Sequence, residues 1–270
     1  MTAALPIGVF DSGLGGLTVA RAIREALPHE DILYLGDTAR VPYGTRSPRT
    51  VMRYARGCAD VLVKRGIKLL VVACNTVSAV AIEMLRVELD IPVLGVIEPG
   101  ARAAVRATRS HKIGVIGTAG TIASGAYPRE VAAISSRAEV FGAAAPLLVP
   151  LVEEGWLEGD VPRLAVERYL APLRSHEVDT LVLGCTHYPM LRSLIERVAS
   201  EVISAETRVV DSAEATASEL RTMIGVRVPK ADDSRSGGLH LMVTDRPQMF
   251  ATVAARFLGH EVVDVEVVDL

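Results

Sequence analysis

LLVVACNTVSA, Leu69–Ala79, and LVLGCTHYPML, Leu181–Leu191, share one design: an apolar run ends abruptly in a cysteine followed by small polar residues. Unbroken Val/Leu/Ile runs are buried on both faces, as the strands of a helix-covered parallel sheet are. Similar runs recur at 7–10, 32–35, 92–96, 113–117, 138–141, 209–211, 239–243 and 262–268. Helical patterns separate most of them, clearest over 16–26, 48–65, 76–88 and 190–200. This alternation reads as an α/β fold with mainly parallel sheets flanked by helices. Ligands of such sheets sit at the carboxyl ends of the strands, and both cysteines stand there.

The pattern also repeats. IGVFDSG from Ile7 resembles IGVIGTAG from Ile113, 106 residues further on, and Cys74 and Cys185 are 111 residues apart. Two matches at nearly one offset imply two similar domains, with the active site in the cleft between them. We place the first domain at 1–96 plus 208–270, carrying Cys74, and the second at 97–207, carrying Cys185. The C-terminal segment is too short for a third domain and is expected to return to the first. VPKADDSRSGG, Val228–Gly238, reads as a surface loop.

Composition narrows the function. The chain has 270 residues, half of them hydrophobic, which supports a sizeable core. No apolar run reaches the roughly 18 residues of a membrane span. No basic residue precedes the apolar part of the N-terminus, so an export signal is not expected and the cytoplasm is. A net charge of −3 and 4% aromatics argue against a dedicated nucleic-acid binder. Three widely spaced cysteines with no C-x-x-C pair imply neither a disulfide framework nor a zinc ribbon.

The chemistry then turns on the two strand-end cysteines. Each is expected beside a helix N-terminus, which favours thiolate. Asn75, Thr76 and Thr186 offer donors at the same places. A cysteine hydrolase would use Cys185 with His187 but gives Cys74 no task. Zinc would need three or four convergent ligands, which the sequence does not assemble around His187. A two-base proton transfer uses both thiols, one on each face of a carbon, each serving as base in one direction and acid in the other. Cys58, on a helix among apolar positions, reads as structural. FDSGLGG, Phe10–Gly16, lacks dinucleotide-loop spacing, yet places Asp11 and Ser12 at a strand end. Tyr43-Gly44 lies in a long strand-to-helix loop and could bring a backbone N–H to a carboxylate. Ser47 and Pro48 read as the N-cap and first residue of the following helix. Glu153 sits in an apolar setting, either as a working carboxylate or as a solvated acid at a helix start.

FDSGLGGLTV, GDTARVPYGTRS, VACNTVSA, GVIEPG, GVIGTAGTIASGAY and LGCTHYPML occur in that order between Ile7 and Leu191. Together they resemble the glutamate racemases, within the cofactor-independent aspartate/glutamate racemases. The resemblance runs to about Ala217. It implies two α/β domains and interconversion of L- and D-glutamate without cofactor, supplying D-glutamate for peptidoglycan. By resemblance, Cys74 takes the α-proton from D-glutamate and Cys185 from L-glutamate, with Asp11, His187 and Glu153 as polar assistants. Substrate contacts correspond to Asp11, Ser12, Tyr43, Gly44, Asn75, Thr76, Thr186 and His187, with Thr118 and Thr121 nearby. None of the four lysines lies in a motif, in keeping with a mechanism free of pyridoxal phosphate. A homodimer is expected. Some members carry an N-terminal extension tied to control by a cell-wall precursor; here the first strand begins at Ile7, and that control is not expected. A racemase of the same type acting on aspartate, a related acid or a hydantoin, a non-catalytic two-lobed amino-acid binder and a cysteine amidohydrolase are the alternatives.

Overall fold

The computed structural model describes residues 5–232 and 234–270. The reading of the N-terminus therefore falls partly outside the described residues, as does Asp233 of the 228–238 loop. Apolar runs become strands where both faces find cover. The first sheet is founded on β1 (Ile7–Asp11), β2 (Ile32–Gly36), β3 (Leu69–Val72) and β4 (Val93–Gly95). Helices α1 (Leu17–Ala26), α2 (Pro48–Lys64) and α3 (Asn75–Glu88) connect them. Every residue of β1 and β3 is buried, and each buried Val, Leu or Ile side chain contributes about 1.5–3 kcal/mol. Ser47 caps α2, accepting a hydrogen bond from the Thr50 N–H, and Pro48 occupies its first turn.

Helix α4 (Ile97–Ala107) leads into a second sheet of β5 (Lys112–Gly117), β6 (Glu139–Ala144), β7 (Thr180–Gly184) and β8 (Arg208–Asp211). Its connections carry α5 (Ala119–Ala123), α6 (Ala126–Ile134), α7 (Leu148–Glu153), α8 (Asp160–Leu170) and α9 (Arg192–Val202). The chain returns through α10 (Ser212–Met223) to β9 (Leu239–Val243), α11 (Pro247–Leu258) and β10 (Glu266–Val267), which extend the first sheet. The strand orders are β10-β9-β2-β1-β3-β4 and β6-β5-β7-β8, with every pairing parallel. The sequence repeat thus becomes a topological one. β2-β1-β3-β4 and β6-β5-β7-β8 have the same order, with the cysteines after the equivalent strands β3 and β7.

Three expectations need correction. The return to the first domain at residue 208 comes too early, because Arg208–Asp211 pairs with β7. A fourth parallel strand completes the second sheet before α10 crosses back, and Asp211 then caps α10 through the Ala213 N–H. The strand expected over 262–268 shrinks to Glu266–Val267. Val263 is 92% exposed, so the preceding residues lack the burial a strand needs. The helix expected from residue 190 begins at Arg192, behind a single 3-10 turn at Tyr188–Leu191 that starts with Pro189 in its first turn.

The opposite end of the first sheet is fastened by a buried ion pair. Lys68 Nζ donates to Glu30 Oε2 and to the Pro229 carbonyl at 2.8 Å, while Glu30 Oε1 accepts from the Ala231 N–H at 2.8 Å. The pair ties the segment before β9 to the sheet. Removing one partner leaves the other charge buried, which is the costly case. Lys68→Met is therefore expected to lower unfolding free energy by about 3 kcal/mol, measured by urea denaturation.

Candidate active site

A cavity of about 400 Å³ opens between the sheets at the carboxyl ends of their strands, and both Cys74 and Cys185 line it. Each thiol is brought there by a fully buried strand, β3 or β7. Ser12, Tyr43, Gly44, Asn75, Thr76, Thr118, Glu153, Thr186 and His187 line the same cavity. Asp11 and Thr121, also expected at the substrate, lie behind the lining and are buried. An apolar wall of Pro146, Val149 and Pro150 completes it. No motif pointed to that wall, because it comes from an ordinary apolar helix start.

The surroundings of the two thiols differ. Cys74 is the N-cap residue of α3, as expected. Its Sγ donates to Ser12 Oγ at 3.4 Å. Burial, followed by the nearby Asp11 carboxylate, pushes the Cys74 thiol up to about 12. Burial also raises Asp11, whose Oδ2 accepts from the Gly13 N–H at 2.9 Å. Asp11 is thus an aspartate turn rather than a helix cap; the residue preceding α1 is Gly16.

Cys185 has no helix N-terminus, because the 3-10 turn intervenes. It has His187 instead. Cys185 Sγ lies 3.9 Å from His187 Nδ1, and His187 Nε2 lies 3.0 Å from Glu153 Oε1. Glu153 ends α7 rather than starting a helix. Burial opposes charge on His187, but the hydrogen bonds and charges of Cys185 and Glu153 outweigh it, pushing the imidazole up to about 10. An imidazolium beside a sulfur stabilises thiolate.

The lobes buttress each other's thiols. Thr76, next to Cys74 but one, shares hydroxyl hydrogen bonds with Thr118 at 2.9 Å and Thr121 at 3.3 Å from the second lobe. Tyr127 of α6 donates to Asn75 Oδ1 at 2.8 Å. In the other direction, Thr18 of α1 donates to the Thr186 carbonyl at 2.9 Å. Gly15 packs so closely there that a Cβ would fall 2.3 Å from Thr186 Oγ1 and 2.4 Å from His187 Nδ1. This close approach accounts for one glycine of FDSGLGG. Gly44 accepts from the Gly120 N–H at 2.9 Å, again across the lobes.

Two polar atoms of this region are buried without a hydrogen-bond partner among the described residues, Asp11 Oδ1 and Asn75 Nδ2. Unsatisfied buried groups are costly; Asn75 lines the cavity, and Asp11 lies behind its lining. Among the described residues, no group of three His, Cys, Asp or Glu could hold a metal ion, and no lysine lines the cavity. No helix among the described residues is long and apolar enough to cross a membrane. Cys58 is buried on α2, with Arg40 Nη2 of the preceding loop at 3.8 Å, away from the cavity lining.

The His187 pairing has a pH signature. Its folded value, about 10, lies above the ordinary histidine value of about 6.5. Its stabilisation is fully present below about 6.5 and is lost as pH rises towards about 10. The expected result is a melting temperature that falls across that window more steeply than in His187→Asn, measured by calorimetry as a function of pH.

A family model described as Asp/Glu/Hydantoin racemase matches residues 7–220. The chain is 53% identical over 264 residues to a glutamate racemase of Geobacter metallireducens, covering 98% of this chain and 96% of the relative. Its structure is similar to that of glutamate racemase isoform RacE1 from Bacillus anthracis, with a TM-score of 0.94, 40% identity and coverage of 100% of this chain and 99% of that one. A glutamate racemase from Francisella tularensis in complex with D-glutamate gives a TM-score of 0.90 at 32% identity, covering 99% and 98% of the two chains.

Proposed function

Because the chain belongs to the Asp/Glu/hydantoin racemase family, we propose that it interconverts L- and D-glutamate by proton transfer at Cα, with Cys74 and Cys185 as the two proton carriers. The observation that carries this reading is that two thiols, delivered by equivalent strands of two similar sheets, line one cavity. Cys185 takes the α-proton of L-glutamate, and Cys74 delivers a proton to the opposite face; the reverse sequence starts from D-glutamate. His187 supports Cys185 and is itself held by Glu153, while Asp11 and Ser12 serve the Cys74 side. The free Asn75 N–H and the hydroxyls of Thr76, Thr118 and Thr186 offer hydrogen bonds to the substrate carboxylates. Such donors lower the barrier by stabilising charge that develops on the α-carboxylate as the proton leaves.

The product is D-glutamate, and on this reading it supplies peptidoglycan synthesis in the cytoplasm. A homodimer belongs to the same proposal; exposed Leu147, Trp156, Val161 and Leu164 on the second lobe support it, and sedimentation measures it. The activity is tested by incubating each glutamate enantiomer with the protein in D₂O and following Cα deuteration and optical rotation. Racemisation of both is expected. Racemisation of aspartate but not glutamate, or hydrolysis of an amide substrate, would overturn the assignment.

A further inference from the structure

The carboxylate that holds His187 comes from an element with little of its own to keep it in place. Helix α7 has six residues, and Glu153 is the last of them. Isolated helices this short are marginal. The Glu153 side chain is 40% exposed, so packing alone does not fix it. The turn that follows uses the carbonyls of Pro150, Leu151 and Val152, bonded by the N–H groups of Glu154, Trp156 and Gly155. The Glu153 carbonyl is instead met from the other lobe, where Arg256 Nη1 of α11 donates to it at 2.6 Å. The guanidinium lies over Gly155, where a Cβ would stand 2.9 Å from Nη1 and where φ is +78°. A cation at a helix C-terminus also complements the helix dipole. The next residue of α11, Phe257, sets its ring edge-on to His187, with centroids 5.8 Å apart and planes at 87°. Phe257 is fully buried, and its carbonyl accepts from Arg21 of α1. Consecutive residues of one first-lobe helix therefore touch both members of the second-lobe Glu153–His187 pair.

We infer that Arg256 is a positioning residue: it anchors the end of α7 so that Glu153 meets His187, and through them it sets the proton affinity of the group beside Cys185. The inference rests on the reading of His187 as the assistant of Cys185. The titratable groups facing His187 are Cys185 beside it, Glu153 from α7 and Asp11 from the end of β1. Of these, Glu153 alone is held by Arg256. The contact uses a single N–H on a single carbonyl, so a lysine can replace it; a bidentate arginine site would not allow this.

The test uses the full chain with ¹⁵N-labelled histidine. The His187 resonance is identified by its loss in His187→Asn and followed through pH in wild type, Arg256→Ala and Arg256→Lys. In Arg256→Ala the His187 midpoint is expected to fall by about one pH unit as Glu153 loses its place. Turnover should fall roughly tenfold, the scale of a displaced catalytic group. Arg256→Lys should restore both. Removing a through-space positive charge would raise the midpoint, so a rise in Arg256→Ala overturns the inference, and so does an unmoved midpoint. The titration needs no turnover. Its failure with racemisation intact would sink the positioning role alone, and absent racemisation with a shifted midpoint would sink only the proposed activity.

Discussion

Cys74→Ser and Cys185→Ser are each expected to lose racemisation by roughly a thousandfold or more, the scale of a lost general acid or base, while each keeps one half of the chemistry. In Cys185→Ser, Cys74 can still take the α-proton of D-glutamate. A serine hydroxyl is too weak an acid to deliver a proton to the other face, so the intermediate collapses back. If the Cys74 thiol exchanges with D₂O meanwhile, D-glutamate gains deuterium with its configuration retained. Cys74→Ser should do the same with L-glutamate alone. Wild type should behave differently at early times: the product enantiomer carries deuterium and the remaining substrate does not, because the returning proton comes from the opposite thiol.

This design avoids a trap. Enantiomers have equal free energy in water, so kcat/KM must be equal in both directions for every variant. Comparing kcat/KM by direction can therefore never show which thiol serves which face, whereas exchange with retention can. A Cys185→Ser protein that exchanged L-glutamate and left D-glutamate untouched would reverse the assignment of the two thiols. Formation of a thioester at Cys185 would instead make it a nucleophile.

The sequence carried the strand ends well because their signal is local. Unbroken apolar runs ending in Ala73-Cys74 and Gly184-Cys185 identify buried parallel strands, and the sheets bear this out. Even the faint repeat at Ile7 and Ile113 corresponds to a shared strand order. Features set by a few residues of local competition were harder. Pro189 puts a 3-10 turn where a helix start was expected. Arg208–Asp211, only four residues long, joins β7 because a partner strand awaited it, which no local pattern reveals. Least legible were contacts between distant segments. Tyr127 on Asn75 and Arg256 on Glu153 join residues 52 and 103 positions apart. Each depends on how the lobes meet: Tyr127 ends the motif GVIGTAGTIASGAY and Arg256 lies in no motif, and nothing local names the partner of either.

The asymmetry of the two thiols yields the second large expected effect. The thiols occupy equivalent strand ends, yet Cys74 faces a carboxylate and a hydroxyl, and Cys185 faces an imidazole held by a carboxylate. His187 occupies the repeat position of Thr76, so the helpers are not copies. His187→Asn is expected to lower exchange of L-glutamate by about a hundredfold in the Cys74→Ser background, where only Cys185 abstracts. In the Cys185→Ser background it should leave exchange of D-glutamate within a few-fold of its parent. Asp11→Asn should show the opposite pattern. It removes a like charge beside Cys74, which eases thiolate formation, but it also removes a buried carboxylate near the thiol that can take its proton. The expected net result is a loss of D-glutamate exchange, because an amide cannot accept that proton. Asp11 also faces His187 electrostatically, so a small fall in L-glutamate exchange should accompany it. Equal losses of both exchanges in both variants would mean that the two directions share one set of assistants.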